Sequence, residues 1–150
     1  GYLFQMSTRF ILLLILFYCF MANSETINST QRQSFKNGNP EYEISFKNKL
    51  KHGRETFWYD SGFKKMESNF VNGINEGSWI QWHKNGQIKL KVIYKNGKEN
   101  GLWRQWHKNG QLKSQVKFIN GIKQGLEITW NKNGTISSKD NYINGKVIKN

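Results

Sequence analysis

At 150 residues the chain is long enough for one hydrophobic core and too short for two independent ones. Its only cysteine, Cys19, rules out a disulfide framework and a thiolate metal site. The formal net charge of +13 points to acidic partners: anionic lipid headgroups, acidic proteins or nucleic acid.

The chain starts with a segment that has to be set aside before the fold is read. Met6-Ser-Thr-Arg9 supplies a positive start, Phe10 to Met21 is an unbroken apolar run, and Ala22-Asn23-Ser24 places small residues at a cleavage site. That order is expected of a secretory signal over residues 6–24, cut after Ser24. The run is shorter than the ~20 apolar residues of a membrane-spanning helix, which leaves an uncleaved anchor as the rival reading. Tyr18 before Cys19 is too large for a lipoprotein site, so lipidation is not expected. Since Arg9 falls in the leader, the remainder carries +12. An exported, periplasmic or secreted protein rarely meets nucleic acid, which leaves acidic proteins and anionic membranes. The alternative for the lysines is a solvated surface that opposes aggregation.

Residues 25–45 are read as an N-terminal extension containing a half-repeat, Ser34 to Gly38, and residues 46–150 as tandem repeats. Asn-Gly recurs at 72–73, 96–97, 120–121 and 144–145, a spacing of 24. A second series runs 85–86, 109–110 and 133–134, continued upstream by Ser61-Gly62 and Asn37-Gly38. Gly53, Gly77, Gly101 and Gly125 form a third column. Aromatic residues keep the same interval: Trp58, Trp82, Trp106 and Trp130 in one column, Phe46, Phe70, Tyr94, Phe118 and Tyr142 in another. Trp79 and Trp103 make a partial third, bounded by Glu55 and Glu127.

Each unit reads as a β-hairpin, because Asn-Gly favours the left-handed conformations of tight turns. A three-residue turn at Lys84-Asn85-Gly86 is expected to pair Trp82 with Ile88 and Ile80 with Leu90. Ile88, Leu90, Val92 and Tyr94 then alternate with polar neighbours at the two-residue period of a half-buried strand. The second turn, with Gly five residues after Asn, is expected to be longer. Helix is disfavoured by abundant Gly and Asn and by the lack of alanine after residue 24. The expected fold is therefore all-β, a single elongated antiparallel meander of tandem 24-residue β-hairpin repeats. With strands ~4.8 Å apart, equivalent residues of successive repeats lie ~10 Å apart in rows.

Tyr94-Lys-Asn-Gly-Lys-Glu-Asn-Gly-Leu-Trp-Arg-Gln-Trp-His-Lys-Asn-Gly resembles the MORN repeat family, in the bacterial variant form of proteins labelled YwqK-type antitoxins. The resemblance covers residues 46–150 and a half-unit near Phe35. It implies the hairpin-repeat fold and roles in protein scaffolding, phospholipid contact, or antitoxin and immunity function. Lys49, Ser61, Glu55 and Glu127 depart from the family pattern, which marks the first and last repeats as caps.

Catalytic and metal chemistry find no support in the spacing. His83 and His107 share a column but stand ~10 Å apart, whereas ligands of one zinc lie ~2.0–2.1 Å from it. Their column partners Phe35, Tyr59 and Asn131 offer no natural third ligand, and His52 belongs to another column. The carboxylates sharing columns, Glu43 with Glu67 and Glu55 with Glu127, are equally far apart or farther. No phosphate loop, nucleophile elbow or Cys-His pair occurs. No enzyme activity, metal or cofactor is expected.

What remains is surface. One reading has the sheet curl until the Trp58/Trp82/Trp106/Trp130 row and the Phe/Tyr column cover each other. The other leaves Trp79 and Trp103 in an accessible groove with a basic border. The candidate partner-binding residues are Trp79, Trp103, Trp82, Trp106, His83, His107, Lys84, Lys108 and Lys132. The expected role is an exported, non-enzymatic protein-binding module, with neutralisation of an acidic toxin as a sub-case. The alternative is a membrane-surface structural protein that lays its basic edge (Lys36, Lys84, Lys108, Lys132) on anionic lipid, each lysine contributing ~1 kcal/mol.

Overall fold

A computed structural model describes residues 26–148. The expected leader, residues 6–24, with Cys19, lies outside the described residues. The described chain forms one antiparallel sheet of 13 strands in meander order, without helix, as the repeat pattern requires.

The sheet begins ahead of the expected repeat boundary at residue 46. Strands β1 (Asn28–Ser34) and β2 (Pro40–Lys47) form a whole hairpin, so the stretch read as an extension with a half-repeat is an integral part of the sheet. There follow β3 (Leu50–Trp58), β4 (Lys64–Val71), β5 (Ile74–Asn75), β6 (Gly77–Trp82) and β7 (Ile88–Lys95). The chain continues through β8 (Lys98–Glu99), β9 (Gly101–Trp106), β10 (Leu112–Ile119), β11 (Ile122–Trp130), β12 (Ile136–Ile143) and β13 (Lys146–Ile148).

Two kinds of turn alternate, one along each rim. At the first rim, residues such as His83 and Gln87 close a three-residue loop: His83 N–H donates to Gln87 O at 2.8 Å and Gly86 N–H to His83 O at 2.9 Å. Only the glycine of that loop has positive φ, which is a type I turn followed by a glycine bulge. At the opposite rim the turns are shorter than expected. Asn72-Gly73, Asn96-Gly97, Asn120-Gly121 and Asn144-Gly145 are two-residue turns with positive φ at both positions. The glycine five residues after the Asn lies beyond the turn, as Gly77 and Gly101 do at the starts of β6 and β9. There it takes positive φ where the strand changes register.

Trp82 pairs with Ile88 as expected, but Ile80 opposes Lys91 rather than Leu90. A bulge at Lys89 adds one residue, so Leu90 faces Gln81 and Val92 faces Trp79. Equivalent bulges occur at Lys65 and Lys113. Because directly opposed residues share a face, the bulge decides which aromatic rows meet. Trp79, Trp103 and the Phe70, Tyr94, Phe118 and Tyr142 column lie on one face, here called the inner face. Trp58, Trp82 and Trp106 alternate onto the opposite, outer face. The expected mutual cover of the Trp row and the Phe/Tyr column therefore fails: the sheet itself separates them.

The core is a thin line along the inner face. Val92 and Val116 are its only buried apolar residues among those described, 3% and 1% exposed, paired with Trp79 and Trp103. Upstream in the same row the buried Glu55 accepts from Ser68 Oγ at 3.0 Å and is ion-paired with Lys51. Downstream, Glu127 is held by Lys123 at 2.8 Å. A charged pair thus closes each end of the apolar row, and each ammonium also lies over an aromatic ring, Phe70 and Tyr142 respectively.

Candidate functional site

The crest of the three-residue turns is stitched from repeat to repeat. Tyr59 Oη donates to Trp82 O at 2.9 Å, His83 Nε2 to Trp106 O at 3.1 Å, and His107 Nε2 to Trp130 O at 2.9 Å. A carbonyl can only accept, so each imidazole carries its proton on Nε2. Next to them, Asn85 Nδ2 donates to Lys108 O and Asn109 Nδ2 to Lys132 O, both at 2.8 Å. An asparagine side chain is short, so these bonds hold successive crests within the ~10 Å repeat of the sheet.

Between successive crests lies a row of depressions on the inner face. The first, 410 Å³, is lined by Tyr59, His83, Lys84, Lys89 and Lys108. The second, 490 Å³, runs between His83 and His107 and adds Lys113 and Lys132. The third, 560 Å³, lies between His107 and Asn131, with Lys113 and Lys132 at its border and Trp103 at its floor. Together they form a groove that crosses the strands, one depression per repeat.

Two files of lysine border it. Lys84, Lys108 and Lys132 come from the turns, where Asp60 interrupts the ladder towards Lys36. Lys89 and Lys113 come from the bulges, and Lys65, the first bulge residue, stands 6.0 Å from the Tyr59 ring centroid. None of these six has a carboxylate oxygen within 4.0 Å, since the ion pairs of the described residues involve Arg32, Lys51, Lys64 and Lys123. Like charges held this close, without counter-charges, produce a positive potential along the groove.

The residues singled out from the sequence thus divide. His83, His107, Lys84, Lys108 and Lys132 come together in the groove. Trp103 reaches its floor, while Trp79 and Trp103 are both half-buried against the valine core. Trp82 and Trp106 alternate onto the outer face; their carbonyls accept the crest bonds, and Trp106 also borders the second depression. Tyr59 entered sequence reasoning only as a column partner of the histidines, and Lys65, Lys89 and Lys113 escaped it. Their shared 24-residue interval was the available signal, but a lysine at a bulge looks like any outward lysine of an alternating strand. Among the described residues, no three His, Cys, Asp or Glu side chains converge on one point.

Fold and groove define a β-hairpin repeat protein, a ribbon of equivalent units that presents one rim as a repeating basic surface. The pattern of the MORN repeat variant matches residues 28–48, 75–96, 99–120 and 123–144, more than half of the chain. The chain belongs to this family. Its first matched unit is the β1–β2 hairpin; the β3–β4 hairpin falls outside the matched segments but is built to the same plan. No curated protein matches the chain. Repeats of this family often mediate binding to proteins or membranes.

Proposed function

We propose that the protein is an exported, non-enzymatic binding module that docks an acidic protein partner in its basic groove, in the manner of an antitoxin or immunity protein. The observation that carries this reading is the double file of lysines without counter-charges along a groove of regular depressions. Charge complementarity of this kind speeds encounter and selects partners. The export signal expected at residues 6–24 places that encounter in the periplasm or outside the cell.

The test is co-purification from native periplasmic or secreted extract, comparing the wild type with a Lys84→Glu, Lys108→Glu, Lys132→Glu triple variant. These lysines are exposed, so charge reversal leaves the fold intact while inverting one border of the groove. A partner that is acidic, held by the wild type and lost by the variant supports the reading; a partner indifferent to the change defeats it. Trp79→Ala and Trp103→Ala are poorer probes, because both indoles pair with the buried valines and their loss weakens the fold itself.

The second reading, attachment to an anionic membrane, rests on the same lysines lining one rim. Most exposed aliphatic residues, among them Leu50, Val71, Ile74, Ile119, Ile122 and Ile143, lie at the opposite rim. Membrane contact through the basic rim is therefore chiefly electrostatic, and pelleting with anionic liposomes would vanish at high salt.

A further inference from the structure

The groove repeats, and its period selects the shape of what it can hold. Each repeat advances the sheet by two strand spacings, ~10 Å, and contributes a turn lysine and a bulge lysine to one depression. A partner whose negative charges recur at that interval engages successive depressions together. In an extended polyproline-II segment the rise is ~3.1 Å with three residues per turn, so every third side chain lies on one face, ~9 Å from the last. A β-strand places same-face side chains ~6.6 Å apart; an α-helix approaches the repeat only every second turn, at ~10.8 Å, and at ~10–12 Å across it is far bulkier than an extended chain.

We infer, building on the acidic-partner reading, that the groove accepts an extended acidic segment carrying a carboxylate at every third residue, laid across the strands with one carboxylate per depression. The charge has the right sign, and the six lysines lack ion-pair partners among the described residues; the one carboxylate that lines the depressions, Glu127, is held by Lys123. The chemistry favours carboxylates of a peptide over a nucleic acid. Single strands are held by aromatic platforms that stack on successive bases. The six lysines supply the groove's positive charge; of its aromatic residues Tyr59 is engaged with Trp82 O, Trp103 is half-buried against Val116, and Trp106 and Trp130 belong to the row that alternates onto the outer face, so the depressions carry no regular series of free rings.

Each depression alone is shallow and open, so one carboxylate is held weakly. Affinity arises when several are engaged at once, the second and third binding at high effective concentration. The crest bonds matter for this reason: they keep the depressions at constant spacing, so an extended ligand meets a preformed array.

The experiment measures fluorescence anisotropy of labelled peptides with the whole protein. One peptide carries Glu at every third position among Ser and Pro; a second has the same composition with its Glu residues clustered. Binding of the periodic peptide about tenfold tighter than the clustered one is expected. That binding should fall at least as much in Lys84→Glu, Lys108→Glu, Lys132→Glu, and change little in Lys95→Glu, Lys98→Glu, Lys146→Glu. The latter reverses as many charges at the opposite rim and controls for net charge. Equal affinity for both peptides, or equal loss in both variants, overturns the inference, as does preferential displacement of the peptide by inorganic polyphosphate or by anionic vesicles. If the groove captures an acidic native partner but discriminates no peptide, the inference falls and the proposed function stands. If a native partner ignores the groove lysines, the proposed function falls whatever the peptides do.

Discussion

Asn85 and Asn109 each spend a side-chain amide on the carbonyl of a lysine 23 residues further on. Ser61 occupies the same column, and its hydroxyl makes no such bond among the described residues. Ser61→Asn should therefore restore the missing rung to Lys84 O and raise stability by about 0.5–1 kcal/mol in urea denaturation, with Asn85→Ala lowering it by a similar amount. Lys49 is a second residue out of keeping. It takes φ 66° in the β2–β3 turn, where the other two-residue turns place glycine. A side chain in the left-handed region costs about 1–2 kcal/mol, so Lys49→Gly is expected to stabilise by about 1 kcal/mol. The turn columns were legible in the sequence because turn conformation is imposed locally by Asn and Gly. The crest bonds were not, because donor and acceptor are a whole repeat apart and nothing in His83 or Asn85 announces its acceptor.

Titration acts at the residue scale too. Burial alone lowers the Lys123 ammonium, but hydrogen bonding to Glu127 and the attraction of its carboxylate outweigh this and hold it above the usual 10.5. The Tyr142 phenol is raised above 10.0, first by its hydrogen bond with Glu127. Tyr94 is raised by burial and then by the neighbouring Glu99. Groups whose values rise on folding add stability that is complete below their unfolded values and lost as pH climbs through the folded ones. The melting temperature should accordingly drop above about pH 10, and Tyr94→Phe with Tyr142→Phe should flatten that drop, as followed by circular dichroism.

The hairpin is the element that sequence periodicity described best and oriented worst. Asn-Gly spacing and alternation located the strands, yet the assignment of rows to faces failed at Leu90, Val92 and Tyr94. Lys89 is the cause: one inserted residue reverses the face of everything after it, and its identity differs in no way from Lys91 on the same strand. Deleting Lys89 restores simple alternation and turns Val92 away from Trp79. The expected loss is about 2–3 kcal/mol, on the scale of exposing a buried valine, and is measurable as a lower denaturation midpoint. Replacing Lys89 with Ala should cost far less, since the insertion rather than the side chain sets the register. For the groove the lesson is the same. Its turn lysines were readable as a ladder, whereas its bulge lysines joined it only through a distortion of the strand.

At the scale of the molecule, each described strand pairs with its neighbours in the meander and the side-chain ties reach the next repeat, so stability is close to a sum over adjacent units. The buried valines lie on β7 and β10, towards the middle of the ribbon. Amide hydrogen exchange should be slowest in β6 to β10 and quicken towards β1 and β13 in a graded manner, unlike the uniform protection of a globular core.

Strands paired in meander order, with crest bonds reaching no farther than the next repeat, also dictate how the chain answers to mechanical load. Tension applied between Asn28 and Ile148 reaches the hydrogen bonds one strand at a time, like a seam pulled from its end. Each repeat, when it lets go, releases 24 residues of slack, roughly 80 Å of contour. A pulled molecule would yield in even steps at low force and rewind in the reverse order, a spring whose pitch was written by Asn-Gly.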